Sequence, residues 1–502
     1  MSGRLLMGID IGTFESKGVL INSDSEILSS AAQPHDMEIP FPGYAEHDAE
    51  KTWWRDFCKI SRELIVRAGV HPSRVAAVAC STIAPCCLPV DRNLRPLRKA
   101  ILYGIDVRAD KEISFLENHY GRGEIFRRCG AAVSSQSAAA KLLWIKNNEP
   151  EVYAKTAKFV TGTTYLVAKL CGNFVIDRYT AAAWVPMYDI RNEDWEDDLS
   201  LFCRRGQLAD CRWSYETAGR VHENAAAETG LAPGTPVVTG TADASAEALS
   251  VGVLSPGDLM VMYGSSVFMI HVVDRFTCDP RIWAGPYLFP GTYALTAGMS
   301  TAGTLIRWYR NEFARDLAPS ASDPNSYNAL AAAAAGIPPG SHGLIVLPYF
   351  SGERTPINDP LARGVIFGLN LQHTREHIYN ACLEGIGYGI AQHFGIFGEL
   401  KTNTGKIMAV GGGTRHEKWL QIVSDICNRP QQTACAGAGA AQGDAMLAGL
   451  GAGIFRSPAE IGARVKIKRT IMPDETAHKM YQGYLKDYTA LYKATKEIMH
   501  NY

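Results

Sequence analysis

One pattern constrains this chain more than any other, because it occurs twice. Residues 5–22 read "LLMGIDIGTFESKGVLIN", two short apolar strands joined by a polar turn with a glycine in it. At residues 257–273 the sequence restarts with "GDLMVMYGSSVFMIHVV", strand-rich in the same manner. A chain of 502 residues is also too long for one ordinary core. Two α/β halves, 1–250 and 251–502, account for both observations. Further strand-like runs are "VAAVAC" (75–80), "CCLPVD" (86–91), "PVVTG" (236–240), "GLIVLPYF" and "KIMAV" (406–410). Helical patterns are expected around 109–120, 137–148 and 374–398, over "KFVTGTTYLVAKLCG" up to Gly172, and in the tail after Pro473. In that tail Tyr481, Tyr484, Tyr488, Leu491, Tyr492 and Met499 recur at near-helical spacing, an aromatic stripe that reads as core.

Charge excludes several classes of partner. Fifty Lys and Arg nearly cancel fifty-one Asp and Glu, so no global field draws the chain to nucleic acid or membrane. The local run "RNLRPLRK" (92–99) reads as a solvated turn. No stretch of 18 uninterrupted apolar residues occurs, and "MSGRLLMGIDIG" has too short an apolar core for a signal peptide, so a cytoplasmic protein is expected. Twelve scattered cysteines, with no C-x-x-C and no zinc spacing, read as buried, reduced small hydrophobes, with a redox-sensitive pair at Cys86 and Cys87 as the other reading.

The chemistry-bearing points lie where strands run into glycine. In "GIDIGTFESKG" (8–18), Asp10 lies in a strand that ends at Gly12, where the backbone can approach a bulky anion. Thr13 offers a hydroxyl and Lys17 a cation; an ordinary hairpin holding an acid is the other reading. In "VVTGTADASAEALSVGV" (237–253), Asp243 is a lone charge among small residues at a strand-to-helix junction, which suits either an N-cap or a functional carboxylate. "KIMAVGGGTRHEKWLQIVSDI" (406–426) is a strand, three glycines and an amphipathic helix, a junction that exposes backbone N–H groups to a phosphate or a flat ligand. With "YGSS" (263–266), such sites are spread over both halves. No P-loop motif is present, and "GAGAAQG" (437–443) has the wrong spacing for a dinucleotide fingerprint; it reads as a small-residue helix packed closely on a neighbour.

These residues resemble the FGGY carbohydrate kinases of the actin-like ATPase superfamily, nearest to the xylulokinase-like branch. The resemblance runs nearly end to end. Its most specific part is "LPYFSGERTPINDPLARGVIFGLNLQHTREHIYNACLEGI" (347–386), where Gly364, Gly368, His377, Ala381 and Glu384 follow the family signature and Cys382 departs from it. It implies two actin-like (ribonuclease H-like) α/β domains with an interdomain cleft, the first mainly binding sugar and the second mainly nucleotide. It also implies ATP and Mg²⁺, phosphorylation of a small sugar or polyol, and a closing cleft that keeps water from taking the phosphate. By the same carry-over Asp243 is the base, ionised with an ordinary carboxylate pKa near 3.9, and Asp10 holds Mg²⁺ through water. Thr13, Lys17, Gly264, Ser265 and Ser266 face the phosphates, and Gly411, Gly412, Gly413 and Thr414 line the adenosine pocket. Dimers occur in the family, so a homodimer is an open expectation.

Two departures concern specificity. Phe14 and Glu15 stand where relatives place threonine and serine, and Ala84-Pro85 stands where relatives carry a polar pair that grips substrate hydroxyls. The sugar pocket is therefore expected to be rebuilt, with Ser81, Thr82, Tyr103 and Asp106 as candidate contacts beside Asp243. Ser81 and Thr82 equally suit a plain strand end. A pentulose is the leading substrate. Glycerol- or erythritol-type polyols, a sugar-independent ATPase of the actin or chaperone type, and a silent sugar-binding relative are the alternatives.

Overall fold

The structure, a computed structural model, describes residues 3–317, 326–435 and 437–502. In chain order, the elements that position the chemistry begin with strands β1 (Leu5–Ile11), β2 (Glu15–Ile21) and β3 (Ile27–Pro34), helix α1 (Arg55–Ala68) and strand β4 (Val75–Thr82). Helix α2 (Gly162–Cys171), strand β5 (Pro236–Val238) and helix α3 (Asp243–Ser250) follow. Next come β6 (Leu259–Tyr263), β7 (Val267–Val273), β8 (Tyr293–Met299), α4 (Gly303–Phe313), α5 (Arg375–Glu399), β9 (Ile407–Val410), α6 (Glu417–Cys427) and β10 (Gln431–Ala434). Helices α7 (Ala440–Gly451) and α8 (Glu475–Met499) complete the set.

The chain forms two compact units. One comprises residues 1–255, 274–294 and 436–465; the other comprises 256–273, 295–435 and 466–502. The segments 274–294 and 436–465, which a single cut at 250 assigns to the second half, thus pack with the first.

Both units are built on the same strand plan. In the first, the sheet runs β5-β4-β1-β2-β3, with β1 antiparallel to β2 and parallel to β4. In the second it runs β8-β7-β6-β9-β10, with β6 antiparallel to β7 and parallel to β9. Each plan is an antiparallel ribbon extended by parallel strands, and β1 and β6 are buried along nearly their whole length, as central strands covered on both faces must be.

The small-residue run before residue 444 does what its composition suggests. A Cβ on Gly8 of β1 would lie 2.0 Å from the Ala441 carbonyl and 2.3 Å from the Ala445 nitrogen. One on Gly443 would lie 1.9 Å from the Ala246 carbonyl of α3. Only glycine permits α7 to approach β1 and α3 this closely. The tail helix also matches its pattern, since Tyr481, Tyr488, Tyr492 and Met499 of α8 are buried. One expectation is corrected. "KFV" (158–160) is a strand, paired antiparallel with 88–90, and helix begins only at Gly162. The β-branched and aromatic residues there favour extended backbone, and Thr161 caps α2 by accepting from the Thr164 N–H at 3.3 Å.

Candidate functional site

Strand register explains why acids gather at one end of the first unit. Asp10 on β1 is level with Ser81 on β4, and Ser81 is level with Thr241 on the short extended stretch that leads into α3. Asp243 follows at once as the first residue of that helix. The cap position itself is Ala242, so Asp243 does not serve as an N-cap; its Oδ1 accepts from the Ala244 N–H at 2.8 Å. Glu247 lies one turn further along the same face. Asp177, buried beneath, accepts from the Thr241 hydroxyl at 2.7 Å and fixes the chain just before Asp243.

This end of the unit holds many carboxyls and few cations. Burial is the main reason Asp243 is pushed up to about 6, with the charge of Glu247 adding to it and the Ala244 N–H opposing. The ordinary carboxylate value expected from sequence is thereby corrected. Burial and the charge of Asp243 raise Asp10 well above the usual range, against the hydrogen bond from Ser81. Asp444 on α7 is raised in the same way, first by burial and then by Asp10. The Ser81 hydroxyl lies 3.0 Å from Asp10 Oδ1 and 2.6 Å from Asp444 Oδ2, while Asp444 Oδ1 has no hydrogen-bond partner among the described residues. Lys17 pairs with Glu15 at 3.0 Å, both well exposed, and its charge reaches Asp10 and Glu247 only as a lesser influence. Thr13 lies at the turn with its hydroxyl 3.1 Å from that of Tyr103.

Three candidate sugar contacts take other roles. Ser81 and Thr82 are fully buried. Ser81 acts through the carboxyls it bonds, and the Thr82 hydroxyl meets Thr163 at 3.1 Å on α2, so both complete the strand end. Asp106 is 1% exposed and saturated. It accepts from Arg108 Nε at 2.9 and 3.0 Å, from Arg108 NH2 at 2.7 Å and from the Ala45 N–H at 2.7 Å. Arg108 also pairs with Glu46 at 2.8 Å and lies 4.0 Å over the ring of Tyr44. A carboxylate with this many donors is a structural ion pair with no lone pair left for a sugar.

In the second unit, Gly264, Ser265 and Ser266 form the turn between β6 and β7. The Gly264 and Ser265 carbonyls accept from Gly303 (3.1 Å), Ala302 (3.0 Å) and Thr304 (3.1 Å), so the turn docks on the start of α4. Gly411, Gly412, Gly413 and Thr414 follow β9. Gly411 has φ +89°, and a Cβ there would lie 2.7 Å from the Tyr263 carbonyl. Gly411 and Gly412 are exposed, and the Thr414 hydroxyl closes the turn onto the Gly411 carbonyl at 2.8 Å. The signature residue Glu384 is wholly buried, and burial pushes it up to about 7. It accepts from Gly340 (2.8 Å), Ser341 (2.8 Å), Asn380 (2.8 Å) and Tyr481 (3.0 Å), tying α5 to α8.

Two domain descriptions of the FGGY family of carbohydrate kinases match this chain, the N-terminal domain over residues 5–250 and the C-terminal domain over 259–452. The chain belongs to that family. The xylulose kinase of Escherichia coli (strain K12) is 28% identical to it over 500 residues, covering 99% of this chain and 100% of the relative. The gluconokinase of Bacillus subtilis (strain 168) is 27% identical over 430 residues, 84% of this chain and 82% of the relative. Among solved structures, the xylulose kinase from Rhodospirillum rubrum superposes with a TM-score of 0.91 at 30% identity, covering 99% of this chain and all of the other. The two-unit α/β fold is thus that of the family, and the protein is a carbohydrate kinase, which transfers a phosphoryl group from ATP to a sugar or polyol hydroxyl. No helix among the described residues is long and apolar enough to cross a membrane.

Sequence reasoning named two of the several acids at this end, Asp10 and Asp243. Glu247 was legible as the next acid on the Asp243 face. Asp444 carried a similar signal, a lone charge in the apolar helix "AAQGDAMLAGLG". Tyr179 was also missed. Its phenol is raised by burial and then by Asp243, and its ring meets that of Tyr287 edge-on at 6.2 Å.

Proposed function

We propose that this kinase phosphorylates a five-carbon ketose, with Asp243 receiving the hydroxyl proton. The observation that carries the reading is the environment of Asp243. Among the described residues its carboxyl has a single short hydrogen bond, from a backbone N–H, and it is held at about 6. A base poised there is mostly ionised at neutral pH yet able to take a proton as the hydroxyl attacks. Such groups typically contribute ~10²–10⁴ in rate. The pentulose assignment is supported by the xylulose kinases among the relatives. Ala84 and Pro85 contribute no side-chain hydrogen bond, so hydroxyl recognition falls to other groups, with Tyr103 and Tyr179 as candidates near Thr13 and Asp243.

The acid cluster fits Mg²⁺. Among the described residues several buried carboxyls lie together with no directly bonded cation, and one Asp444 oxygen has no partner. Among the described residues no three His, Cys, Asp or Glu side chains converge as a ligand set. Mg²⁺ keeps several of its waters and takes few carboxylates. Asp10 would hold it, and its charge would offset that of the transferring phosphoryl group. Lys17 and the Thr13 hydroxyl are the first unit's candidates toward the phosphates. The second unit's candidates are Gly264, Ser265 and Ser266 toward the phosphates and Gly411 to Thr414 toward adenosine.

The test is ATP consumption against ketoses, polyols and gluconate, run on wild type and Asp243→Asn. The reading requires pentulose-stimulated turnover that the substitution removes while ATP and sugar still bind. Turnover without any sugar, a different preferred substrate, or a fully active variant would each contradict part of it.

A further inference from the structure

The turn that follows Asp10 is fastened from behind by one residue. His35 directly follows β3. Its backbone N–H donates to the Phe14 carbonyl at 2.9 Å, and its ring Nε2 lies 3.0 Å from the Gly12 carbonyl. Both ends of the turn 12–14 are therefore held through their oxygens. The N–H groups of Thr13 and Phe14 have no hydrogen-bond partner among the described residues. With two of its carbonyls tied and those two donors unused, the turn leaves backbone N–H groups available to an anion.

The partners of His35 also fix its charge. Nδ1 lies 3.0 Å from Asp56 Oδ2 on α1, and Nε2 faces a carbonyl oxygen. An ionised Asp56 and a carbonyl oxygen can only accept, so this geometry fits a ring with a proton on each nitrogen, an imidazolium. The Ser16 hydroxyl of β2 lies 3.3 Å from Nδ1 but 3.1 Å from Asp56 Oδ2, to which it donates. A buried ion pair persists only if its remaining atoms are bonded. Asp56 meets that condition, because its other oxygen accepts from Arg55 Nε at 3.2 Å and NH2 at 3.1 Å. The His35 and Asp56 side chains are each only 2% exposed. His47 stands edge-on to the His35 ring at 5.2 Å and accepts from Trp53 Nε1 at 3.1 Å, which leaves it neutral. Burial first, then the charge of His35, hold His47 down at about 4, with Thr13's backbone and the acids Glu38 and Asp56 acting the other way.

We propose that His35, kept charged by Asp56, is a positioning residue for phosphoryl transfer: it clamps the Gly12 and Phe14 carbonyls so that the Thr13 and Phe14 N–H groups and the Thr13 hydroxyl meet the ATP phosphates. It touches no substrate and acts through the turn. This rests on the kinase reading above and adds a fixed cation behind the turn, where Phe14 and Glu15 replace smaller hydroxyl residues.

The test is steady-state kinetics of the full chain with ATP and the sugar that supports turnover. His35→Gln keeps a donor near the Gly12 carbonyl but cannot carry the charge. It is expected to raise KM for ATP about tenfold or more, the factor that a charge-assisted hydrogen bond carries. KM for the sugar should stay close to wild type, while the melting temperature falls because Asp56 is left buried without its partner. An unchanged KM for ATP overturns the proposal, and so does an equal rise in both KM values. Nitrogen-15 NMR of the unaltered protein tests it without any variant. Two protonated ring nitrogens on His35 at neutral pH support the clamp, and a neutral ring overturns it. If wild type shows no sugar-dependent ATP turnover, the kinase reading fails by itself, and the NMR result still decides the charge of His35.

Discussion

The same strand–turn–strand element occurs in both units, and its two copies differ by one decisive position. In the first unit β1 runs into Gly12 with Asp10 two residues before the glycine. In the second, β6 runs into Gly264 with Met262 at the matching place. The parallel neighbours differ in the same sense, with Ser81 beside Asp10 and Val410 beside Met262. One end thus gathers acids that burial holds above their usual range, and the other offers neutral glycine and serine turns. A shared backbone plan fixes where a turn opens; the side chains at its mouth decide whether that mouth is acidic or neutral.

The comparison breaks most sharply at Asp243. Asp243→Asn should lower kcat by ~10²–10⁴ with little change in ATP or sugar affinity, as measured by steady-state kinetics and calorimetry. On the neutral side, Gly303→Ala puts a Cβ 2.5 Å from the Gly264 carbonyl, a backbone atom that has no easy way to move. It should cost about 1–3 kcal/mol of stability and raise KM for ATP more than KM for the sugar, read by thermal melts and kinetics. A pH profile sharpens the acid side. The base proposed above must be ionised to act and Asp243 is held at about 6, so kcat should fall as pH drops through that value. Glu247→Gln removes a neighbouring negative charge and should carry this acid limb to lower pH by less than about one unit. The smallest effect is expected at Lys17→Met. The Lys17–Glu15 pair is exposed, so its loss should change stability by only about 0.2–1 kcal/mol. A modest rise in KM for ATP in that variant would keep Lys17 as a phosphate group; none would leave it a surface pair.

Asp106 shows where sequence reading reached its limit. From the sequence, Asp106 and Asp243 were both acids near a candidate pocket. In the fold, Arg108 and the Ala45 N–H occupy one of them, and the other keeps free valence. Donor count around a carboxylate depends on groups brought from elsewhere in the chain, as Ala45 is to Asp106, sixty-one residues away. Ser81 illustrates the same limit in reverse. Its hydroxyl was legible as polar and close to the site, but its partners Asp10 and Asp444 lie 71 and 363 residues distant.

The sequence by itself determined the two α/β halves, the glycine turns, the aromatic stripe of α8 and the close-packed small-residue helix. Each of these follows from local periodicity, from glycine's freedom or from a motif read within a short window. Only tertiary structure decided that Asp444 joins Asp10 across Ser81, that Asp106 is neutralised by Arg108, and that His35 fastens the Gly12 turn. Hydrogen bonds and burial set the charge and reach of a side chain, and both are fixed by residues that meet only after the chain has closed on itself.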